Sequence, residues 1–362
     1  MTTALGIMAL YVRDRAYSRE ELPYFRKLIT EGRRLGLDVF LFTPEDVRHE
    51  ERRIHASRLD PAGEWYRESV PMPRLVFDRC RYQSHPRFRL MRQFRARYPE
   101  ILYLNRPLAH KWGNHVRLSK DPHVRRHLPE TRHYQSRADL DYFLKKYPVV
   151  YLKPRDGTGG RGIASIRRRG DGLYLLQGRD PRLKILRPAV LRASSIPGRL
   201  KDWGLQKKYL VQQGIDLELE DGRVHDYRLL IQKNGNGEWE VTGGAGRIGA
   251  KRSVTSNIHG GGRAVPCDQL LRSRFSAVKA SSIRASMDRL CHSTVRQLEK
   301  HFGSMCEMAL DIAVDPEGKT WLLEVNPKPA REVFRLIGEE ETYRRSITRP
   351  LEYALWLSRN RA

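Results

Sequence analysis

The sequence predicts a mixed α/β (α+β) protein with more than one core, and three observations carry that prediction. Up to about residue 107, short apolar runs alternate with amphipathic stretches, the pattern of strands with helices between them. Beyond that point, strand-like runs follow one another across tight turns, as antiparallel hairpins do. Near the end, a long helical stretch over residues 282–302 precedes two further strands. The chain has 362 residues, and at roughly 100–200 residues per domain that length holds two or three cores.

Taken in order, residues 5–12, 37–42, 74–77 and 101–104 read as strands of a small parallel layer. Residues 20–35 and 86–98 read as helices, because apolar residues recur three and four apart. Pro107 closes this first unit, residues 1–107. A second unit, 108–208, opens on a basic helical stretch (110–128) and an amphipathic one (137–146). A strand ending in Lys153 and Pro154 leads straight into Asp156-Gly-Thr-Gly-Gly-Arg-Gly162. Two strands, 163–167 and 173–176, then flank a turn at Gly170, Asp171 and Gly172, which makes a hairpin. The third unit, 209–362, carries strands at 209–212, 227–232 and 238–243, the long helix, and strands 306–314 and 320–325 joined by Asp315-Pro-Glu-Gly318.

Composition narrows the class. With 40% hydrophobic and 30% charged residues, the chain reads as a packed soluble protein and not as a disordered one. No run approaches the roughly 20 apolar residues that a membrane span needs. The first residues lack a basic segment and read as a strand, not a signal peptide. Four cysteines without C-x-x-C spacing argue against a disulfide scaffold or zinc ribbon, and make a reducing cytoplasm the expected compartment. Sixty-eight Lys+Arg against 42 Asp+Glu leave a net charge of +26, which points first to a polyanionic partner. The arginines run along the whole chain without a zinc-finger, basic-zipper or RNA-recognition signature, so nucleic acid is the weaker reading and a merely solvated basic surface is the alternative.

Three groups of residues carry chemistry. The first is Lys153 with Gly157, Gly159, Gly160 and Gly162. A glycine-rich turn lets phosphate oxygens approach backbone N–H groups, and the lysine adds charge. The spacing satisfies G-x-G-x-x-G, but a dinucleotide site needs a helix opening on the last glycine. A hairpin follows here, so the expectation is a hairpin that covers phosphates, or else a glycine loop without a ligand. The second group is Asp311, Glu324 and Asn326. On neighbouring antiparallel strands they can share one face. Two carboxylates and an amide oxygen suit Mg²⁺; the alternative is carboxylates bonded to nearby arginines. The third group is Asp226 and Arg228 with Arg247 and the 255–262 loop, where Asn257 offers a metal or phosphate contact. Arginine presents a fork of donors to phosphate; the alternative is a surface Asp226–Arg228 pair and an ordinary loop.

In this order, from about Lys111 to Pro329, the groups resemble the ATP-grasp superfamily, and within it the YheC/YheD family of spore-forming bacteria. The wording that carries the resemblance is Lys111-Trp112, Leu118-Ser-Lys-Asp121, Leu128-Pro-Glu-Thr131, Tyr209-Leu-Val-Gln-Gln213, Asp226-Tyr-Arg228 and Glu324-Val-Asn-Pro-Lys-Pro329. The ending Pro350-Leu-Glu-Tyr-Ala-Leu-Trp356 is similar too. RimK-type glutamate ligases and glutathione synthetases are more distantly similar.

The resemblance implies an ATP-grasp fold with an N-terminal Rossmann-like pre-ATP-grasp domain. It implies Lys111 and Lys153 at the ATP phosphates or adenine edge, and the 156–162 loop folded over the phosphates. Gln212, Gln213 and Gly214 would form the hinge that reads adenine. Asp226 would lie at the ribose or phosphate end, and Asp311, Glu324 and Asn326 would hold one or two Mg²⁺ ions. The catalytic set is then Arg228, Arg247 and Lys153, with Arg228 where an acyl phosphate forms. Thr255 stands where RimK-type ligases have an arginine, which leaves Arg247 or Arg252 to fill that role. Gln213 stands where an acidic hinge residue is common.

The activity implied is ATP- and Mg²⁺-dependent ligation of a carboxylate to an amine. A kinase on the same scaffold and a non-catalytic, spore-coat-associated ATP-binding protein are the competing readings. The acceptor expected from the charge is an acidic peptide or polymer, met partly by Asp78, Arg79 and Arg81 of the first unit.

Overall fold

A computed structural model describes residues 2–12, 16–18, 21–81, 86–156, 160–251, 253–256, 258 and 261–360, the side chain of Lys207 excepted. Three sheets organise it. The first contains β1 (Thr3–Met8), β2 (Leu37–Phe42), β3 (Val47–Arg48), β4 (Arg53–Leu59), β5 (Trp65–Pro71), β6 (Leu75–Asp78) and β7 (Leu102–Tyr103). Their order is β3-β4-β2-β1-β6-β7, with β5 paired to β4. β2, β1, β6 and β7 run parallel, and their apolar runs are buried almost throughout, as a sheet covered on both faces requires.

The expected parallel layer is therefore only half of this sheet. β3, β4 and β5 add an antiparallel edge. β5 leaves Tyr66, Arg67, Glu68 and Ser69 exposed or half-exposed, so no apolar alternation announces it. The helix Leu22–Arg34 buries Phe25, Leu28, Ile29 and Gly32 on one stripe. Gly32 lets it lie close to the sheet, since a Cβ there would come within 2.3 Å of Val39 Cγ2.

The second sheet comprises β8 (Thr131–His133), β9 (Val149–Pro154), β10 (Ile163–Arg168), β11 (Leu173–Arg179), β12 (Ala189–Arg192) and β13 (Tyr209–Gln213), ordered β12-β11-β10-β9-β13-β8. All its pairings are antiparallel. Leu140, Phe143 and Leu144 of the helix Arg137–Lys146 cover one face. The basic stretch 110–128 is not one helix. It divides into Lys111–Leu118 and Pro122–Arg125, because Asp121 Oδ1 accepts from the N–H groups of His123 and Val124 and starts a new helix at Pro122.

The third sheet comprises β14 (His225–Lys233), β15 (Trp239–Ile248), β16 (Arg263–Pro266), β17 (Glu307–Val314) and β18 (Thr320–Asn326), ordered β16-β15-β14-β17-β18. The helix Ala277–Phe302 packs behind it through Ile283, Met287, Leu290 and Val295. It starts five residues before the sequence reading because Ser276 caps the Lys279 N–H. The expected turn at Asp315–Gly318 is present, with Gly318 at φ +89°.

A last helix, Glu340–Asn360, joins the first and third sheets: Tyr343, Ile347 and Leu351 share a core with Leu28, Leu230 and Phe334. Pro350 sits inside this helix and has no N–H for the Ser346 carbonyl. That carbonyl instead accepts from Gln232 Nε2 and Arg331 Nε, each at 2.9 Å. Next to it, Glu307 of β17 is buried between Arg331 and Arg79, with Arg79 Nη1 donating at 2.7 Å. Cys267, Cys291 and Cys306 are buried free thiols, and Cys80 is buried too. No helix among the described residues is long and apolar enough to cross a membrane.

Candidate functional site

Side chains alternate along a strand, so Tyr151 and Lys153 of β9 point to one face of the second sheet. The register places Gln212 of β13 opposite Tyr151 and Thr131 of β8 opposite Gln212, on that same face. Lys153 Nζ donates to Gln212 Oε1 at 2.6 Å, and Gln212 Nε2 donates to Thr131 Oγ1 at 2.9 Å. Burial, and then the nearby Lys111, push the Lys153 ammonium down to about 8, while Glu324 and Asp226 pull it back.

Gln213 points the other way. Its Oε1 accepts from the Glu130 N–H at 3.1 Å and its own N–H donates to the Glu130 carbonyl at 2.8 Å, which ties β13 to the segment before β8. Gly214 follows where a Cβ would come within 2.6 Å of Val149, so only glycine fits that approach. Of the three hinge residues expected, Gln212 is the one whose side chain lies on the face of Lys153. Gly160 (φ +77°) and Gly162 (φ +64°) hold left-handed backbone at the foot of the β10 hairpin. Gly157, Gly159, Asn257 and Arg252 lie outside the described residues.

The third sheet brings the acidic residues together. Asp311 on β17 is registered opposite Glu324 on β18, and Asn326 Nδ2 lies 3.4 Å from Asp311 Oδ2. β14 flanks β17 on its other side, with Arg228 opposite Asp311. Arg228 forks onto Asp311 with two bonds of 2.8 Å. One strand further, Arg247 is opposite Asp226 and donates to both its oxygens at 2.7 and 2.5 Å. Arg247 also reaches Asp311 Oδ2 at 3.1 Å.

Asp226 therefore pairs with Arg247 and not with Arg228 on the surface. Cross-strand register decides this, since residues two apart on one strand do not face each other across a ladder. Burial raises the Asp311 carboxyl, but Arg228 and Arg247 outweigh it and hold it well below the usual carboxylate range. Arg247 is shifted upward by Asp226 and Asp311 against the cost of its own burial. At the start of the helix Lys111–Leu118, Lys111 Nζ lies 3.4 Å from Glu324 Oε1, and Lys153 of the second sheet feels the charges of Lys111, Glu324 and Asp226.

The alternative reading of Asp311 is thus also realised: it is bonded to arginines. Its oxygens, those of Glu324 and the Asn326 amide are hard donors, and the Glu324 side chain is 35% exposed, so the set fits Mg²⁺ chemically. No group of three or more His, Cys, Asp or Glu able to hold a metal occurs among the described residues. An ion here would complete its shell with phosphate oxygens and water.

Sequence reasoning gave no role to Thr131 or Lys328. Thr131 orients Gln212, a partnership that only the β8–β13 register reveals. Lys328 Nζ donates to Asp78 Oδ1 at 2.6 Å and to the Cys80 carbonyl at 2.7 Å, fastening the segment after β18 to the end of β6. Arg79, expected at an acceptor site, is wholly buried against Glu307 and the Pro329 carbonyl.

Among known sequences, the profile of the YheC/D like ATP-grasp family matches residues 100–357. The chain belongs to this family. Two relatives of this ATP-grasp chain, the endospore coat-associated proteins YheD and YheC of Bacillus subtilis (strain 168), are each 27% identical to it. The matches cover 92% and 93% of this chain, and 74% and 91% of theirs. The ATP-grasp ligase PsnB, solved with a minimal precursor, shares the fold at a TM-score of 0.53 and 11% identity, over 96% of this chain and 99% of that one. The α+β ATP-grasp fold expected from the sequence is therefore present.

Proposed function

We propose that the chain is an ATP- and Mg²⁺-dependent ligase that joins a carboxylate to an amine through an acyl phosphate. The observation that carries this reading is the meeting of Lys153 and Lys111 with Glu324 where two sheets converge, with Asp311, Asn326 and Arg228 alongside. Among the described residues no nucleophile paired with a base accompanies them, and phosphoryl transfer asks mainly for positioning and charge neutralisation.

In the first step a carboxylate oxygen attacks the terminal phosphorus of ATP, and the bond to ADP breaks. In the second the amine nitrogen attacks the acyl carbon, phosphate leaves, and the amine proton passes to solvent. Lys111 and Lys153 neutralise the triphosphate, with Gln212 beside Lys153 at the adenine edge. Arg228, 21% exposed at its side chain, faces the acyl phosphate. Arg247 is buried at 4% and bonded to two carboxylates, so it positions Asp226 and Asp311. Mg²⁺ held by Asp311, Glu324 and Asn326 would draw charge from the phosphate oxygens.

The +26 charge supports an acidic peptide or protein as the acceptor, and PsnB, of the same fold, was solved with a precursor. The names of YheC and YheD support an association with the spore surface. They also favour a second reading, a coat-associated protein that binds ATP without turning it over.

One experiment separates the two. Mixing protein, Mg-ATP and candidate acceptors should release ADP and phosphate, and Glu324→Ala should abolish that release. AMP and pyrophosphate as products would overturn the acyl-phosphate mechanism. No ADP release with any acceptor, together with a Glu324→Ala variant unchanged in partner binding and spore phenotype, would favour the coat role. A stable phosphorylated product would favour a kinase.

A further inference from the structure

The second sheet has two faces of opposite character. Val150, Leu152, Ala164, Ile166, Leu176 and Val211 bury one of them in a single cluster. The other face starts at Lys153 and Tyr151, and the register carries it outward: Ser165 lies opposite Tyr151, Gln177 opposite Ser165, and Val190 opposite Leu175. Ile185 bridges to Arg179, which shares the face of Leu175, so Ile185 and Val190 emerge on the same side.

Ile185 is 71% exposed and Val190 55%, with Leu173 and Leu175 half-buried beside them. The partners of Ile185 and Val190 on β11, Arg179 and Leu175, are four residues apart, about 13 Å along the strand, so the two apolar side chains are spaced as alternate-facing residues of one extended segment would meet them. Among the described residues β12 pairs only with β11 and stands at the end of the sheet.

The pair is set in positive charge. Residues 179–192 contain Arg179, Arg182, Lys184, Arg187 and Arg192 against one acid, Asp180. The Asp180 carboxylate accepts from the N–H groups of Arg182 and Lys184. Residues 108–208 hold 24 Lys+Arg against 8 Asp+Glu, so +16 of the net +26 lies in the stretch that contains most of this sheet. The arginines run along the whole chain, but their excess over acids is concentrated in this stretch. Nucleic acid is the poorer match, because Ile185 and Val190 are aliphatic and offer no aromatic platform for bases.

The geometry points to this outer half-face as a docking surface for an acidic peptide segment that carries aliphatic side chains between its carboxylates. Its apolar side chains cover Ile185 and Val190, and its carboxylates meet Arg182, Lys184 and Arg192. The inference rests on the reading of the acceptor as a peptide, and it places recognition on the sheet face that also carries Lys153.

The test uses a labelled synthetic peptide of alternating glutamate and leucine, with fluorescence anisotropy on the full chain in the absence of nucleotide. Binding is expected. It should weaken about tenfold or more in Ile185→Asp/Val190→Asp and in Arg182→Glu/Arg192→Glu, while ADP binding in both variants stays at the wild-type level and reports an intact fold. Equal binding of a glutamate–serine peptide, or no effect of either double variant, overturns the proposal. So does tighter binding of a single-stranded oligonucleotide of equal charge. A concentration-dependent dimer lost in Ile185→Asp/Val190→Asp would show that a second copy covers the face. Because the assay contains no ATP, failure of ligase turnover leaves the peptide result standing, and the reverse also holds.

Discussion

Lys153 has its ammonium next to Gln212 and close to Lys111, and it is held near pKa 8 before any phosphate arrives. A bound triphosphate raises that value, so nucleotide binding takes up a proton in the window above pH 8. Affinity should be full below that pH and fall by up to about tenfold per pH unit above it. Calorimetry at pH 7 and 9 should show this decline in the wild type and none in Lys153→Arg, whose guanidinium stays charged. A second outcome belongs to Arg247. Its removal leaves two buried carboxylates short of a partner, so Arg247→Ala should lose about 3–5 kcal/mol of stability in urea titrations. Arg228→Ala, at a more exposed position, should lose less and act chiefly on turnover. The identities of these residues were legible in the sequence because carboxylates, lysines and glycines at strand ends stand out by type. Their partners were not. Asp226 could be matched with Arg228 or with Arg247 on paper, and only the β14–β15 register settles it.

At the scale of elements, legibility followed side-chain pattern. β9, β10, β14 and β17 have buried runs bounded by turns, β18 is a half-buried apolar run after a turn, and their sequence boundaries lie within about three residues of those observed. β5 shows no such pattern because most of its residues face solvent. β8 and β12, at three and four residues, are too short to show a period. Within the β10–β11 hairpin, Gly178 has no room for a side chain, since a Cβ there would meet the Ile163 carbonyl oxygen at 2.2 Å. Backbone cannot yield as a side-chain tip can. Gly178→Ala should therefore lose about 1–3 kcal/mol and speed hydrogen exchange in this hairpin. Gly170→Ala, with nothing within 4 Å of its added carbon, should leave exchange unchanged.

Across the whole molecule, the first sheet is fixed to the third by a buried charge cluster as well as by apolar packing. Arg79 arrives from the end of β6, Arg331 from the segment after β18, and Glu307 lies between them at 0% exposure. Glu307→Ala leaves two buried cations facing each other and should cost about 3–5 kcal/mol. Replacing Arg79, Glu307 and Arg331 together by Met, Leu and Met should recover part of that loss, as measured by thermal melting. None of this was legible from sequence, because Arg79 lies 228 positions from Glu307 and Arg331 lies 24 positions beyond it, with no local pattern to link them.

Pro350 gives this junction its last acceptor. In an uninterrupted helix the Ser346 carbonyl would be consumed by the helix itself, four residues on. The imino acid leaves that oxygen available, and Gln232 and Arg331 take it. Alanine at 350 would restore the missing donor and set it competing with both side chains for one oxygen. A residue that ordinarily weakens a helix is here what allows the helix to serve as a wall of the joint.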